Sequence, residues 1–450
     1  MLTRSRFRLL ITASLLASIQ VAPVFSATPP KPGSACKKSG ITQEYASKSY
    51  TCKRVNGKLV WSKGTKIAGE LPMRSGSVPT PASPSPTPIA VSPVEACKLP
   101  VADGRGDVAI GFPRIPDRMK SIGTVIAPVI MVDFPDAPAT MTPQDAFAKI
   151  SGATASFKEM SYNKFNYEMR PVFKWYRMSK TAGEYTQGGW SFEKHKIYIQ
   201  EALRLADPDV DFSNAESFII LANPDAKSLG YSGPAFSAIR GNGVTFDGKY
   251  IANGATSAAD LPNWGHLWAN HELTHTLGLV DVYAFQNAAA NGIEGPFKFT
   301  GEFSYMGKST TQSNAPSLFA WERWLMNWVT DSQISCLKEA SGKVTLTALQ
   351  NEGGTKALVI PLGGTKALVV ESRKKIGLDS NMRKAGALVY RVDTSRQSGL
   401  GPIQVFPISA SDPNYFNAPL ALGESITAEG WTIKVTASDS MSDTVEVVKG

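Results

Sequence analysis

The longest apolar stretches of the chain announce its architecture. Ile126-Ala127-Pro128-Val129-Ile130-Met131-Val132-Asp133-Phe134 is apolar at nearly every position, which predicts a strand. Phe218-Ile219-Ile220-Leu221-Ala222 reads as a second, buried strand. Residues 142–151 and 191–206 place their apolar positions three and four apart, the spacing of helices. Another helix is predicted from Pro262, a favourable first-turn residue, to Gly278, which can end it in a left-handed conformation. After residue 337 the texture changes to short β-like runs separated by turns, at 343–346, 357–360, 367–370, 387–390, 431–435 and 444–448. These predict a β-sandwich. Gly-Gly-Thr-Lys-Ala-Leu-Val occurs at 353–359 and again at 363–369. Two copies are too few to stack as a solenoid, so the ten-residue offset predicts adjoining hairpin strands.

The first hundred residues read differently. Arg4, Arg6 and Arg8 precede an apolar run over 9–21, with Val24 and Ser26 as small residues before a cleavage point. This predicts a secretory signal over 1–27. The run is too short to span a bilayer, and no second long one follows, so no membrane span is expected after cleavage. Residues 28–67 form a small cysteine-paired module of strand-like runs, and 68–96 a Pro/Ser/Thr-rich linker. Within the linker, 79–88 carries proline so densely that only an extended, polyproline-like spacer fits. A main domain over 97–336 and a β-sandwich domain over 337–450 complete an α+β reading. The four cysteines suit an exported protein. The economical pairing is 36–52 with 97–336, among three connectivities that remain open.

Charge narrows the partners. The whole chain carries +9, but residues 1–70 hold twelve Lys and Arg against Glu44 and Glu70, which leaves −1 for the rest. A nucleic-acid-binding body therefore has no electrostatic support. The lysines of the first module, with Tyr50 and Trp61, suit an anionic cell-wall polymer, and they equally suit a solvated spacer.

Three of the four histidines, His266, His271 and His275, fall within ten residues. The run from His271 to Asp281 reads H-E-x-x-H-x-x-G-x-x-D. On a helix, residues four apart share a face, so His271 and His275 can hold one zinc ion. Glu272 stands beside the first ligand, where a carboxylate can act as general base toward a zinc-activated water. Gly278 lets the chain reverse and bring Asp281 back as a third ligand, with a fourth position open, as in catalytic sites. His266 comes one turn early and is expected to pack behind the pair. Asp207, Asp209 and Asp211 alternate as calcium ligands do, but no turn glycine follows, so a solvated acidic loop is expected.

The stretch from His271 to Tyr283, HELTHTLGLVDVY, resembles the secreted metallopeptidases of the immune inhibitor A family. Ser161-Tyr162-Asn163-Lys164-Phe165 resembles that family's S-Y-G-K segment, with Asn163 in place of Gly. Ser304-Tyr305-Met306-Gly307 resembles its W-D-x-M-G segment, aligned on Met306 and Gly307. The run 318–328 resembles its closing helix, and Glu371-Ser372-Arg373 with 386–393 its following β-domain. The resemblance covers about residues 120–440. It implies a zincin-like fold, His271, His275 and Asp281 as zinc ligands, Glu272 as base, and Met306 as an apolar floor under the metal. Tyr305 or Tyr283 could steady an oxyanion, although a packing role is the commoner one for either.

The expected activity is that of a secreted, extracellular or wall-associated zinc endopeptidase acting on extracellular proteins and peptides. Two rivals stand beside it: a cell-wall-associated binding protein on a protease scaffold, and a zinc hydrolase of cell-wall peptides. An intact Glu272 speaks against the first, because metal binding alone needs no base. No G-x-S-x-G elbow supports a serine hydrolase.

Overall fold

In the computed structural model, residues 31–45, 48–63, 65–66, 93–102, 106–230, 233–239, 241–285, 295–309, 313–338, 341–409 and 411–450 are described. The predicted signal and nearly all of the predicted linker lie outside them. The chain divides into two compact units, Met1–Pro88 and Ile89–Gly450.

The first unit is a small sheet of β1 (Thr42–Tyr45), β2 (Lys48–Val55), β3 (Lys58–Trp61) and β4 (Thr65–Lys66), centred on β2. Asn56 and Gly57, at φ 46° and 79°, join β2 to β3, and Val55 faces Lys58 across the turn. This is the two-residue hairpin that Asn-Gly favours. The Cys36–Cys52 bond staples the β2–β3 hairpin to the preceding chain. Tyr50, expected on a ligand-facing surface, is only 8% exposed, so the aromatic part of that expectation rests on half-buried Trp61 alone.

The second unit opens on a 3-10 turn, Pro93–Cys97, inside the stretch read as linker. Cys97 pins it through its bond to Cys336. The central sheet holds β5 (Gly123–Asp133), β6 (Phe165–Arg177), β7 (Ile219–Ala222), β8 (Ala235–Ser237) and β11 (Asn253–Thr256); β9 (Val244–Phe246) and β10 (Lys249–Ile251) form a separate hairpin. The sheet order is β6-β5-β7-β11-β8, parallel except for edge strand β8. β5 is apolar at consecutive positions because both its faces are covered. Val129 and Met131 enter one core, and Ile130 and Val132 the other.

Helices α1 (Pro143–Ala148) and α2 (Ala153–Met160) connect β5 to β6. The single helix expected over 142–151 is thus a short first helix, capped by Thr142, followed at Gly152 by a second. Short α3 (Ala182–Thr186) precedes α4 (Phe192–Ala206), which is capped by the Ser191 hydroxyl and packs on the Ile130 face. On the opposite face lies α5 (Leu261–Thr276), followed by α6 (Ala320–Leu325).

The remaining strands build two sheets. One is β12 (Ile334–Cys336), β14 (Ala357–Gly363), β15 (Lys366–Arg373), β16 (Gly386–Asp393) and β17 (Ile403–Val405). The other is β13 (Ser341–Thr347), β18 (Ser425–Ala428), β19 (Trp431–Ser438) and β20 (Ser442–Lys449), in the order β13-β20-β19-β18. Leu358, Leu368 and Val389 of the first pack against Ile433 and Val445 of the second. The repeated heptapeptide lies on neighbouring antiparallel strands, Val359 opposite Val369.

Both faces of the first sheet are buried. Val359, Val369 and Tyr390 point away from the sandwich and join the same core as α5 and the central sheet. The boundary at 336/337 is therefore a change of architecture inside one packed body. Arg373 crosses it, wholly buried. Its Nε meets Glu371 Oε1 at 2.5 Å, its Nη1 meets Asp379 Oδ2 at 2.7 Å, and its Nη2 donates to the Ser317 carbonyl at 3.0 Å. Among the described residues no helix is long and apolar enough to cross a membrane.

Candidate metal centre

The helix that carries the motif has two segments. Gly265, at φ 57° and ψ −141°, breaks α5 after its first turn, so the candidate ligands ride on the stretch that follows. His266, just past the break, packs against Gly152 at the start of α2 and stays out of the cluster. The helix ends where Gly278 (φ 100°) takes the left-handed conformation. Its N–H donates to the His275 carbonyl at 2.8 Å, and the Leu279 N–H to the Thr274 carbonyl at 3.2 Å, the paired bonds of a Schellman ending. The segment 109–119 covers the remaining helix-end carbonyls. Ala109 N–H reaches the Gly278 carbonyl, Met119 N–H that of Thr276, and Arg114 Nη1 that of Leu277. A side chain at 278 would press on the stem of Arg118, 3.2 Å from a built Cβ, besides straining the backbone.

The reversal brings three ligand atoms together. Asp281 Oδ1 lies 3.0 Å from His271 Nε2 and 3.2 Å from His275 Nε2, and the two Nε2 atoms are 3.2 Å apart. The other ring nitrogens fix the tautomers. His271 Nδ1 meets the Tyr305 carbonyl at 2.8 Å, and His275 Nδ1 meets the Leu279 carbonyl at 2.9 Å. A carbonyl only accepts, so both Nδ1 atoms carry a proton, and each ring turns its Nε2 toward the Asp281 carboxylate. Three such atoms facing one point can hold a metal ion between them. Two imidazoles from a helix pair at i, i+4 and one carboxylate are a donor set that zinc accepts. Without one, a proton takes its place: burial disfavours charge on His275, yet Asp281 and its hydrogen bond push that imidazole up to about 10. The same pairing holds Asp281 well below the usual carboxylate range against the opposing effect of burial.

Glu272 is next to this cluster. Its Oε2 accepts the Ala235 N–H of edge strand β8 at 2.9 Å, so the sheet fixes the carboxylate. Burial raises its pKa, and the carboxylate of Asp281 adds to that, while the two histidines oppose it. A raised pKa makes a carboxylate a better proton carrier near neutrality.

The Ser304–Gly307 segment serves the site through its backbone. The Tyr305 carbonyl orients His271, and the Met306 carbonyl accepts the Val282 N–H at 3.1 Å, next to Asp281. Any residue at 305 supplies the carbonyl that orients His271. The Tyr305 hydroxyl is bonded to Thr274 at 2.7 Å inside the core, which removes it from the pair of oxyanion candidates. Tyr283 is half-buried, its ring centroid 6.1 Å from that of His271. Burial, together with Asp281 and Glu272, raises its pKa and keeps its phenol protonated.

Rival acidic groups are engaged elsewhere. Glu302 pairs with Lys308 at 2.8 Å and accepts from Asn314 at 2.5 Å. Asp209 pairs with Lys174 at 2.7 Å, and Asp211 accepts the Ser213 N–H at 2.9 Å, so the acidic alternation does not converge. Among the described residues, His271, His275 and Asp281 are the one group of His, Cys, Asp or Glu that converges this way. Replacing Asp281 with Ala is accordingly expected to lower metal content after dialysis at least tenfold, whereas Glu302→Ala leaves it unchanged. Metal analysis of the two variants showing the reverse order would dismiss Asp281 as a ligand.

Two contributors carry no local signal in the sequence. The Ala235 N–H that holds Glu272 comes from a three-residue strand. Ser398, which hydrogen-bonds Asp281 at 2.8 Å, lies 117 residues away along the chain. Searches with this chain against protein-family models and against curated proteins return no match.

Proposed function

We propose that this chain is a secreted zinc-dependent endopeptidase. The observation that carries the reading is the pair of Nδ1–carbonyl bonds, which leave two Nε2 lone pairs and Asp281 Oδ1 converging within 3.2 Å beside Glu272. A zinc ion held there supplies Lewis-acid polarisation of a scissile carbonyl and brings the pKa of water down to about 7.

The protein's own groups do the rest. Glu272 takes the proton of the attacking water on its carboxylate and returns it to the leaving amine. The Ala235 N–H fixes Oε2 during both transfers. Strand β8 is the edge of its sheet, so an extended peptide can align beside it within reach of Glu272. Tyr283 keeps its phenolic proton and so can donate to the developing oxyanion. Two disulfides suit an oxidising, extracellular setting.

The test is zinc content measured together with casein hydrolysis. Purified protein is expected to hold about one zinc per chain, to hydrolyse casein, to lose activity with a chelator and to regain it with added zinc. Parallel assays on purified peptidoglycan peptides separate a protease from a wall hydrolase. Bound zinc without hydrolysis of either substrate would leave a binding protein.

A further inference from the structure

We infer that the metal site is completed from the β-sandwich region, with Ser398 as the positioning residue of Asp281. This rests on the zinc reading above.

Asp281 follows a helix end, on a segment that has left the helix. Its carboxylate could turn about χ1 and χ2 unless something outside the motif held it. The turn between β16 and β17 does so. The Asp281 N–H donates to Ser398 Oγ at 2.8 Å, and the Ser398 hydroxyl donates to Asp281 Oδ2 at 2.8 Å. These two bonds close a ring between one serine and one aspartate. They occupy Oδ2 and leave Oδ1 to face the two Nε2 atoms.

Backbone bonds lock the same turn to the ligand segment. Gly399 N–H donates to the Asp281 carbonyl at 3.0 Å, and Phe285 N–H to the Gly399 carbonyl at 3.1 Å. Position 399 accepts only glycine, because its φ is 70° and a Cβ there would come within 2.2 Å of the Phe285 ring. The base of the turn is also tied. Asp393 N–H donates to the Pro402 carbonyl at 2.9 Å, and Asp393 Oδ1 accepts from both the Ser395 N–H and its hydroxyl. The hydroxyl at 398 is thus delivered by a braced hairpin end of the C-terminal sheet. Outer partners of this kind set ligand orientation, and their loss typically costs 10- to 100-fold in metal affinity.

The experiment uses the full chain as wild type, Ser398→Ala and Ser398→Thr. Zinc affinity is measured by competition with a chelator, and melting temperature with and without zinc. Ser398→Ala is expected to bind zinc about 10- to 100-fold more weakly, with a smaller zinc-induced rise in melting temperature. Ser398→Thr keeps the hydroxyl and is expected to restore affinity. The metal-free melting temperatures of the three should coincide. Wild-type affinity in the Ala variant would overturn the inference while leaving the protease reading standing. A metal-free Ala variant that melts early, with no rescue by Thr, would also overturn it, since the serine would then be structural. A wild type that binds no zinc would sink the reading and the inference together.

Discussion

Glu272→Gln is expected to leave zinc bound and to lower casein turnover by about 10²- to 10⁴-fold, the range that general acid–base groups contribute. The amide has the size of the carboxylate, and its oxygen can still accept the Ala235 N–H. The ligands His271, His275 and Asp281 keep their own partners at Tyr305, Leu279 and Ser398. What disappears is the only function an amide cannot copy, uptake of a proton from the nucleophile. The measurement is kcat with metal content and melting temperature taken on the same sample. Turnover within threefold of wild type, with zinc in place, would remove Glu272 from the reaction.

Arg373→Met destabilises the protein by about 3–5 kcal/mol, the cost of breaking a buried ion pair from one side. Arg373, Glu371 and Asp379 are all fully buried. Glu371 also accepts the Ala320 N–H at 2.6 Å and the Tyr390 hydroxyl at 2.9 Å, and Asp379 accepts the Ser317 N–H at 3.0 Å. Removing the guanidinium strands two carboxylates without water or a counter-charge. Urea unfolding of the variant should show the loss. Adding Glu371→Gln and Asp379→Asn should recover much of it, because neutral amides tolerate the interior better than orphaned charges. A single variant within 1 kcal/mol of wild type would show that the triad is not the join between the two regions.

What could be read beforehand follows from distance along the chain. The two histidines, the base and the helix-ending glycine lie within eight residues, so helical spacing alone places them on one face. Asp281 was legible because a Schellman ending reverses the chain by a fixed geometry. Ser398 was not, since nothing local couples positions 281 and 398. The break at Gly265 was also unread: a glycine inside a helical pattern does not reveal whether its φ will be positive. Strand β6 went unread because its thirteen residues mix charge with aromatics, as a half-covered edge strand does. The apolar runs at 357–360 and 367–370 predict strands of a β-sandwich, and that reading does not say which faces are covered. Their consecutive apolar positions carried the same message as 126–134, burial on both sides, and Val359 and Val369 show it. The two cysteine pairs found are those that spacing favoured.

The Cys97–Cys336 bond has a consequence for proteolytic damage to the chain. It closes a covalent loop over 239 positions, and every motif residue from His271 to Asp281 lies inside that loop. A single nick anywhere between the two cysteines opens the loop but separates nothing. Both halves stay joined through sulfur and remain docked on the shared core. Nicked and intact molecules would therefore co-migrate on a denaturing gel until a reductant is added. A preparation judged whole by its mass under oxidising conditions could consist largely of two-piece protein.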